Sequence, residues 1–229
     1  MFVGHYGVAL GAKHASPRLS LGLLFLAVQF LDVLFAIFLL FGIEKMRIVH
    51  GFTAYNPYDL YWMPYTHSLA GALAWSVLAA AVCRAAARRL APRERLVASL
   101  VLGAAVFSHF VLDVPMHTPD LPLWPGGAAP KIGLGLWNHR HAAVLAELAV
   151  LAVGAWIYLR GSRPRSRAAR IGTVAFFVVL VVTALATPFQ PDPPGPRAFA
   201  VLALALYAVF AIGAALVDRG RRTIESGAE

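Results

Sequence analysis

Six stretches of this chain are apolar for long enough to cross a bilayer, at roughly 19–43, 67–87, 96–116, 141–160, 169–188 and 198–217. Each approaches the ~20 mostly apolar residues that span ~30 Å of hydrocarbon. The expected fold class is therefore all-α, a polytopic membrane protein of about six transmembrane helices. Composition agrees. Hydrophobic residues make up 59% of the 229 and charged residues 14%, with a mean hydropathy of +0.69. Ordinary soluble domains are ~45–50% apolar and ~25% charged. A disordered chain, a basic nucleic-acid-binding protein and most soluble enzymes are excluded. The lone cysteine, Cys83, excludes an intramolecular disulfide and a cysteine metal cluster. The first apolar run is too long for a cleavable signal peptide and ends at no small-residue cleavage site. No repeat or large soluble domain is visible. Residues 1–229 read as one membrane-embedded unit, with candidate site motifs in 1–147 and the last two spans and a basic tail in 160–229.

The formal net charge of +9 is clustered. Arg84, Arg88, Arg89, Arg93 and Arg95 lie between spans two and three, and Arg160, Arg163, Arg165, Arg167 and Arg170 between spans four and five. Arg219, Arg221 and Arg222 follow span six. The alternate loops hold few basic residues and many aromatic ones, among them Tyr55, Tyr58, Trp62, Trp124 and Trp137. The positive-inside rule then puts both termini in the cytoplasm of a bacterial inner-membrane protein, with an aromatic belt at the outer face. The arginines orient the chain; no nucleic-acid partner is expected.

Three acids fall inside the spans: Asp32, Asp113 and Glu147. A charge within the bilayer costs several kcal/mol, so such a residue is expected to pair with something or bind something. His67, His109, His117, His139 and His141 lie in or beside the same spans. At 1.5 Å per residue, Asp32 sits ~20 Å above the cytoplasmic start of its span, His109 ~20 Å up span three, and Glu147 ~9 Å below the outer surface. His67, Asp32, His109, Asp113 and Glu147 therefore share the outer third of the membrane. His109 and Asp113 are four apart and share a helix face, as Asp113 and His117 do if Pro115 leaves the helix end intact. His109 and His117 are ~12 Å apart along the axis. That spacing suits two ions with Asp113 bridging between them better than one shared ion. Imidazole and carboxylate are ligands that suit zinc.

Gly4-His5, Asp32, Thr66-His67-Ser68 and Ser108-His109-Phe110-Val111-Leu112-Asp113, followed by Pro122-Leu123-Trp124-Pro125, form an ordered set. It resembles the bacterial inner-membrane, metal-dependent hydrolase family described as LexA-binding, membrane-associated hydrolases. The likeness covers roughly residues 1–125. It departs where the acidic motif reads Phe30-Leu31-Asp32-Val33-Leu34, without the family's second Asp and His. Met63-Pro64-Tyr65 stands where the family has Arg-Gly before Thr-His-Ser. More distantly, the order is similar to the zinc-dependent phospholipase C and single-strand nuclease superfamily. That likeness implies a first zinc on Asp32, His67, His109 and Asp113, and a second shared by Asp113 and His5. It implies a third on His117 with His139 or His141, and Glu147, so one to three ions in all. For His5 to reach the outer third, residues 2–12 are expected to form an N-terminal re-entrant half-helix rising from Lys13.

The resemblance implies an integral-membrane hydrolase of an ester or phosphoester; a lipid would fit the location, and Asp32 or Glu147 is expected to take the proton from a metal-activated water. The alternative is an ion-coupled transporter using the same Asp/His cluster, which six spans without a repeat support poorly. A third reading is an inactive scaffold that binds a cytoplasmic partner through its arginine-rich loops.

Overall fold

The computed structural model describes residues 1–224. Among these residues eight helices dominate: α1 (Val3–Ala15), α2 (Leu21–Val28), α3 (Phe30–Leu40), α4 (Leu69–Ala86), α5 (Pro92–Met116), α6 (Arg140–Arg160), α7 (Arg167–Ala186) and α8 (Pro196–Arg219). Three short antiparallel pairs close the loops. They are β1 (Lys45–Ile48) with β2 (Tyr58–Trp62), β3 (Leu121–Pro122) with β4 (Lys131–Ile132), and β5 (Ser162–Pro164) with β6 (Arg221–Thr223). The all-α polytopic expectation holds. Among the described residues five helices are long and apolar enough to cross a membrane, six if the bent pair α2 and α3 is counted as one span.

That pair departs from the straight first span expected for 19–43. It bends by 58° at Gln29, whose backbone leaves the helical region (φ −103°, ψ 8°). The Gln29 side chain donates from Nε2 to the Phe2 carbonyl at 3.2 Å, so the bend is tied to the start of α1. Ser20 caps α2 by accepting from Leu23 N–H at 3.2 Å.

α1 has 13 residues, ~20 Å of helix at 1.5 Å per residue. Its first half is buried, and its last turn lies at the arginine-rich end of the bundle. There Lys13 Nζ meets Asp218 at 2.8 Å and the Leu19 carbonyl at 2.8 Å. The half-helix expected from sequence is thus present as an element buried in protein. It lies against α6 at glycine contacts. A Cβ on Gly154 would run into the Gly7 carbonyl, and one on Gly7 into the Val150 carbonyl. Small residues at such crossings let two backbones approach closely.

α5 is the axis of the bundle. Its 25 residues carry the buried set Leu102, Ala105, Val106, His109, Phe110 and Asp113. Pro92 opens it at the first turn, where a missing N–H costs nothing. Pro115 lies one residue before its end and leaves it intact: His117 N–H still bonds Asp113 O at 2.9 Å. The β1–β2 and β3–β4 loops cover the end of the bundle that holds His117; the β5–β6 pair closes the opposite, arginine-rich end.

Candidate metal centre

Four segments bring polar side chains to one buried point. α5 supplies His109 and Asp113 from one face, and His117 from the residue after it, where the backbone turns extended (φ −66°, ψ 149°). α3 supplies Asp32 in its first turn, immediately after the bend. α1 supplies His5, fully buried. His67 precedes α4, and its neighbours explain the Thr-His-Ser run. Ser68 caps α4 by accepting from Gly71 N–H at 3.0 Å. Thr66 binds Glu44, a buried acid just beyond α3.

Asp113 is the hub. Its Oδ2 lies 3.1 Å from His109 Nε2, 3.5 Å from His117 Nε2 and 3.8 Å from His67 Nε2. Its Oδ1 lies 3.3 Å from His5 Nε2 and 2.6 Å from the Met1 nitrogen. Asp32 Oδ1 lies 3.2 Å from His67 Nε2 and 3.5 Å from His109 Nε2, and Asp32 Oδ2 accepts from the Tyr207 hydroxyl at 3.0 Å. The His5 and His109 rings stack at 4.0 Å, inclined by 8°.

The far side of three rings fixes what the near side can do. His109 Nδ1 is 2.7 Å from the Val28 carbonyl, which can only accept, so Nδ1 carries a proton. His117 Nδ1 is 2.9 Å from Asp120 Oδ1, another acceptor. His67 Nδ1 is 2.8 Å from Thr66 Oγ1. That hydroxyl gives its own proton to Glu44 Oε2 at 2.6 Å, and so accepts from the ring. In neutral imidazoles the Nε2 atoms are then bare lone pairs, and they face carboxylate oxygens at close range. Acceptor against acceptor is repulsive unless a cation or a proton lies between. His109 Nε2 and both ring nitrogens of His5 are buried without a hydrogen-bond partner among the described residues. Buried polar atoms are rarely left so.

Among the described residues two groups could each hold a metal ion: His5, His109 and Asp113, and Asp32, His67 and His109. In each, one ligand atom per residue lies within 4.8 Å of the others. They share His109, whose one free nitrogen serves one ion.

Residues 64–192 match the family model described as the YdjM inner membrane protein, over more than half of the chain. The chain belongs to the YdjM inner membrane protein family. This membership agrees with a bacterial inner-membrane setting. The YdjM match contains His67, His109, Asp113, His117 and Glu147, while His5, Asp32 and Glu44 lie before it. No curated protein and no solved structure matches the chain.

Of the residues singled out in the sequence, the structure brings His5, Asp32, His67, His109, Asp113 and His117 together. The ~12 Å helical separation of His109 and His117 does not keep them apart, because both rings reach toward Asp113, which lies between them. His139 and His141 stay outside. Both are exposed at the start of α6, whose buried stripe runs through Ala143, Glu147 and Leu151 instead. Glu147 is buried but differently engaged. Its Oε1 accepts from Phe2 N–H at 2.7 Å, its Oε2 accepts from Gly4 N–H, and the Tyr55 hydroxyl lies 3.4 Å away. It caps α1. A third ion on His117, His139 or His141, and Glu147 therefore has no assembled ligand set. The sequence reading passed over Gln29, Glu44, Asp120 and Tyr207. Gln29 was detectable as a second polar residue in the first apolar run; nothing in their spacing marked the others.

The cluster forms the floor of a cavity of about 820 Å³, lined by Asp32, His67, Asp113 and His117 below and by the covering loops above. That is within the ~300–1,000 Å³ usual for ligand sites. In its loop wall, burial and the nearby Asp192 push the Tyr58 phenol up to about 12, and burial also pushes Tyr55 up. Both keep their hydroxyl protons at neutral pH and stand as donors.

Proposed function

We propose that this member of the YdjM family is a membrane-embedded, metal-dependent hydrolase that cleaves an ester or phosphoester with water. The observation that carries the reading is the set of three imidazoles whose Nδ1 atoms are committed to Val28, Thr66 and Asp120, and whose Nε2 atoms converge on Asp32 and Asp113. Outer partners of this kind orient histidines for metal. The buried nitrogens without partners fit the same group.

The metal is zinc, by its preference for imidazole and carboxylate. Asp32, His67 and His109 would hold one ion, with Asp113 reaching across to a second held with His5. A bound divalent zinc supplies a water acidified toward a pKa of ~7 and a Lewis acid for the scissile oxygen. The protein does the rest. Glu147 is engaged by backbone N–H groups, so of the two acids expected to take the proton Asp32 is the one that lines the cavity. The Tyr207 hydroxyl orients Asp32 from its other oxygen. Tyr55 and Tyr58 line the substrate space as donors. By the positive-inside rule the arginine-rich end faces the cytoplasm, so the cavity opens toward the outer leaflet.

The test is elemental analysis of detergent-purified protein, wild type beside His109→Ala, with hydrolysis measured on a panel of chromogenic esters and phosphoesters. About one zinc per chain or more in the wild type, lost in the variant together with turnover, supports the reading. Near-zero zinc in both contradicts it. Uptake into proteoliposomes that needs Asp32 and Asp113 but no metal would favour an ion-coupled transporter.

A further inference from the structure

The Asp/His cluster occupies only the floor of the cavity, and a fixed cation stands at its other end. Arg140 opens α6. Glu147 lies two turns further along that helix, on the order of 10 Å. It is level with the cluster: it accepts from Phe2 N–H, and the neighbouring Met1 nitrogen lies 2.6 Å from Asp113. Arg140 and Asp113 both line the cavity, which therefore has two polar ends roughly 10 Å apart along the bundle. The metal accounts for one of them.

Arg140 is held in place and left uncompensated. Among the described residues lining the cavity it is the one Lys or Arg. Its Nε donates to the Ala54 carbonyl at 2.7 Å, and its guanidinium lies over the Phe189 ring at 5.2 Å. These contacts leave both terminal nitrogens without a partner among the described residues. The acids that could balance the charge are engaged elsewhere: Asp192 with His50 at 2.8 Å, and Glu147 with the Phe2 and Gly4 N–H groups. The first turn of α6 holds no acid and has no side-chain cap, so the positive end of the helix adds to the guanidinium charge. Two neutral donors share the wall. Asn56 commits its Oδ1 to the Tyr58 N–H at 3.0 Å, which leaves its Nδ2 free among the described residues. The Tyr58 hydroxyl keeps its proton. Both residues line the cavity. One unpaired positive charge, two parallel N–H groups and neutral donors beside them are the complement of a carboxylate, which is planar and singly charged.

We infer that this end of the cavity is a carboxylate subsite, in which Arg140, with Asn56 and Tyr58, binds an acid group that the substrate carries roughly 10 Å from the bond cleaved at the cluster. Arg140 then sets specificity: it favours a substrate with a free acid at its far end over one with an uncharged group there. This deepens the hydrolase reading and rests on it for the bond that is cut, but occupancy of the subsite is read by binding alone.

The experiment is calorimetric titration of the full chain in detergent with three probes of one chain length. Suberate has a carboxylate at each end, suberamate replaces one of them by an uncharged amide of the same shape, and suberamide replaces both. Zinc-loaded wild type is expected to bind suberate roughly tenfold more tightly than suberamate, one carboxylate at the metal and the other at Arg140. Metal-stripped wild type is expected to bind suberamate roughly tenfold more tightly than suberamide, because Arg140 acts without the metal. Arg140→Gln is expected to remove both preferences, and Arg140→Lys, which keeps the charge and loses the planar pair of donors, to retain only part of them. Asn56→Asp keeps the acceptor for the Tyr58 N–H and sets a second carboxylate at the subsite. It is expected to abolish both preferences by repulsion, and serves if Arg140→Gln does not fold. Absence of both preferences in the wild type, or their survival in Arg140→Gln, overturns the inference. If the preferences appear while no chromogenic ester or phosphoester is cleaved, the hydrolase reading fails and the subsite stands. If esters are cleaved while the three probes bind alike, the reverse holds.

Discussion

The carbonyl of Val28 and the Nδ1 of His109 lie 2.7 Å apart, where the first span bends by 58°. The carbonyl at the bend takes the proton of the ring, and the other ring nitrogen is left free toward Asp32 and Asp113. A bend in one helix thereby sets the tautomer of a histidine on another. The same device recurs at His67 through Thr66 and Glu44, and at His117 through Asp120.

If these outer contacts orient ligands, Thr66→Val should weaken zinc binding by ~10–100-fold without unfolding the protein. The valine keeps the volume and removes the acceptor of the His67 proton. Thr66→Ser should restore most of the affinity. A chelator competition titration decides; equal affinities in all three proteins would remove His67 from the ligand set.

Glu147 separates a structural role from a chemical one. As the cap of α1 it holds two backbone N–H groups. Glu147→Ala should therefore cost ~1–3 kcal/mol for each donor left unpaired, seen as a lower unfolding temperature in detergent. Glu147→Gln keeps an acceptor oxygen and should retain zinc and most turnover. A general base would instead lose ~10²–10⁴-fold in rate on that change, with stability little altered.

Gly154 should tolerate no side chain. Gly154→Val pushes α1 from α6, since even a Cβ meets the Gly7 carbonyl. Overpacking of this kind costs ~1–3 kcal/mol. Because α1 carries His5, zinc stoichiometry should fall along with thermal stability. Full stoichiometry in a destabilised Gly154→Val would place His5 outside the metal site.

His139 and His141 are exposed at the start of α6. The double variant His139→Ala, His141→Ala should bind zinc with unchanged stoichiometry and affinity by the same titration. Loss of an ion would revive a third site at that end of the bundle.

The spans were legible because hydrocarbon demands long apolar runs, and the acids were conspicuous because a carboxylate in such a run is costly. Asp32, His109 and Asp113 announced themselves in this way. What the sequence obscured was direction. Helical rise separates His109 from His117, but Asp113 between them draws both rings toward it. Glu147 has the depth of a ligand, yet the N-terminal helix takes its oxygens first. Glu44 lies beyond the end of an apolar run, where an acid is unremarkable, and only the fold brings it to Thr66. The bend at Gln29 escaped notice because hydropathy measures length and not straightness. His139 and His141 were drawn in by proximity in sequence to Glu147, although the periodicity of α6 turns them outward.

Zinc K-edge X-ray absorption on the purified, zinc-loaded protein reads the coordination itself. The expected spectrum has a first shell of nitrogen and oxygen at ~2.0–2.2 Å and the outer-shell scattering of at least two imidazoles, which His109→Ala diminishes. A sulfur shell at ~2.3 Å, or a first shell with no imidazole signature, would show that the cation does not sit among His67, His109, Asp32 and Asp113.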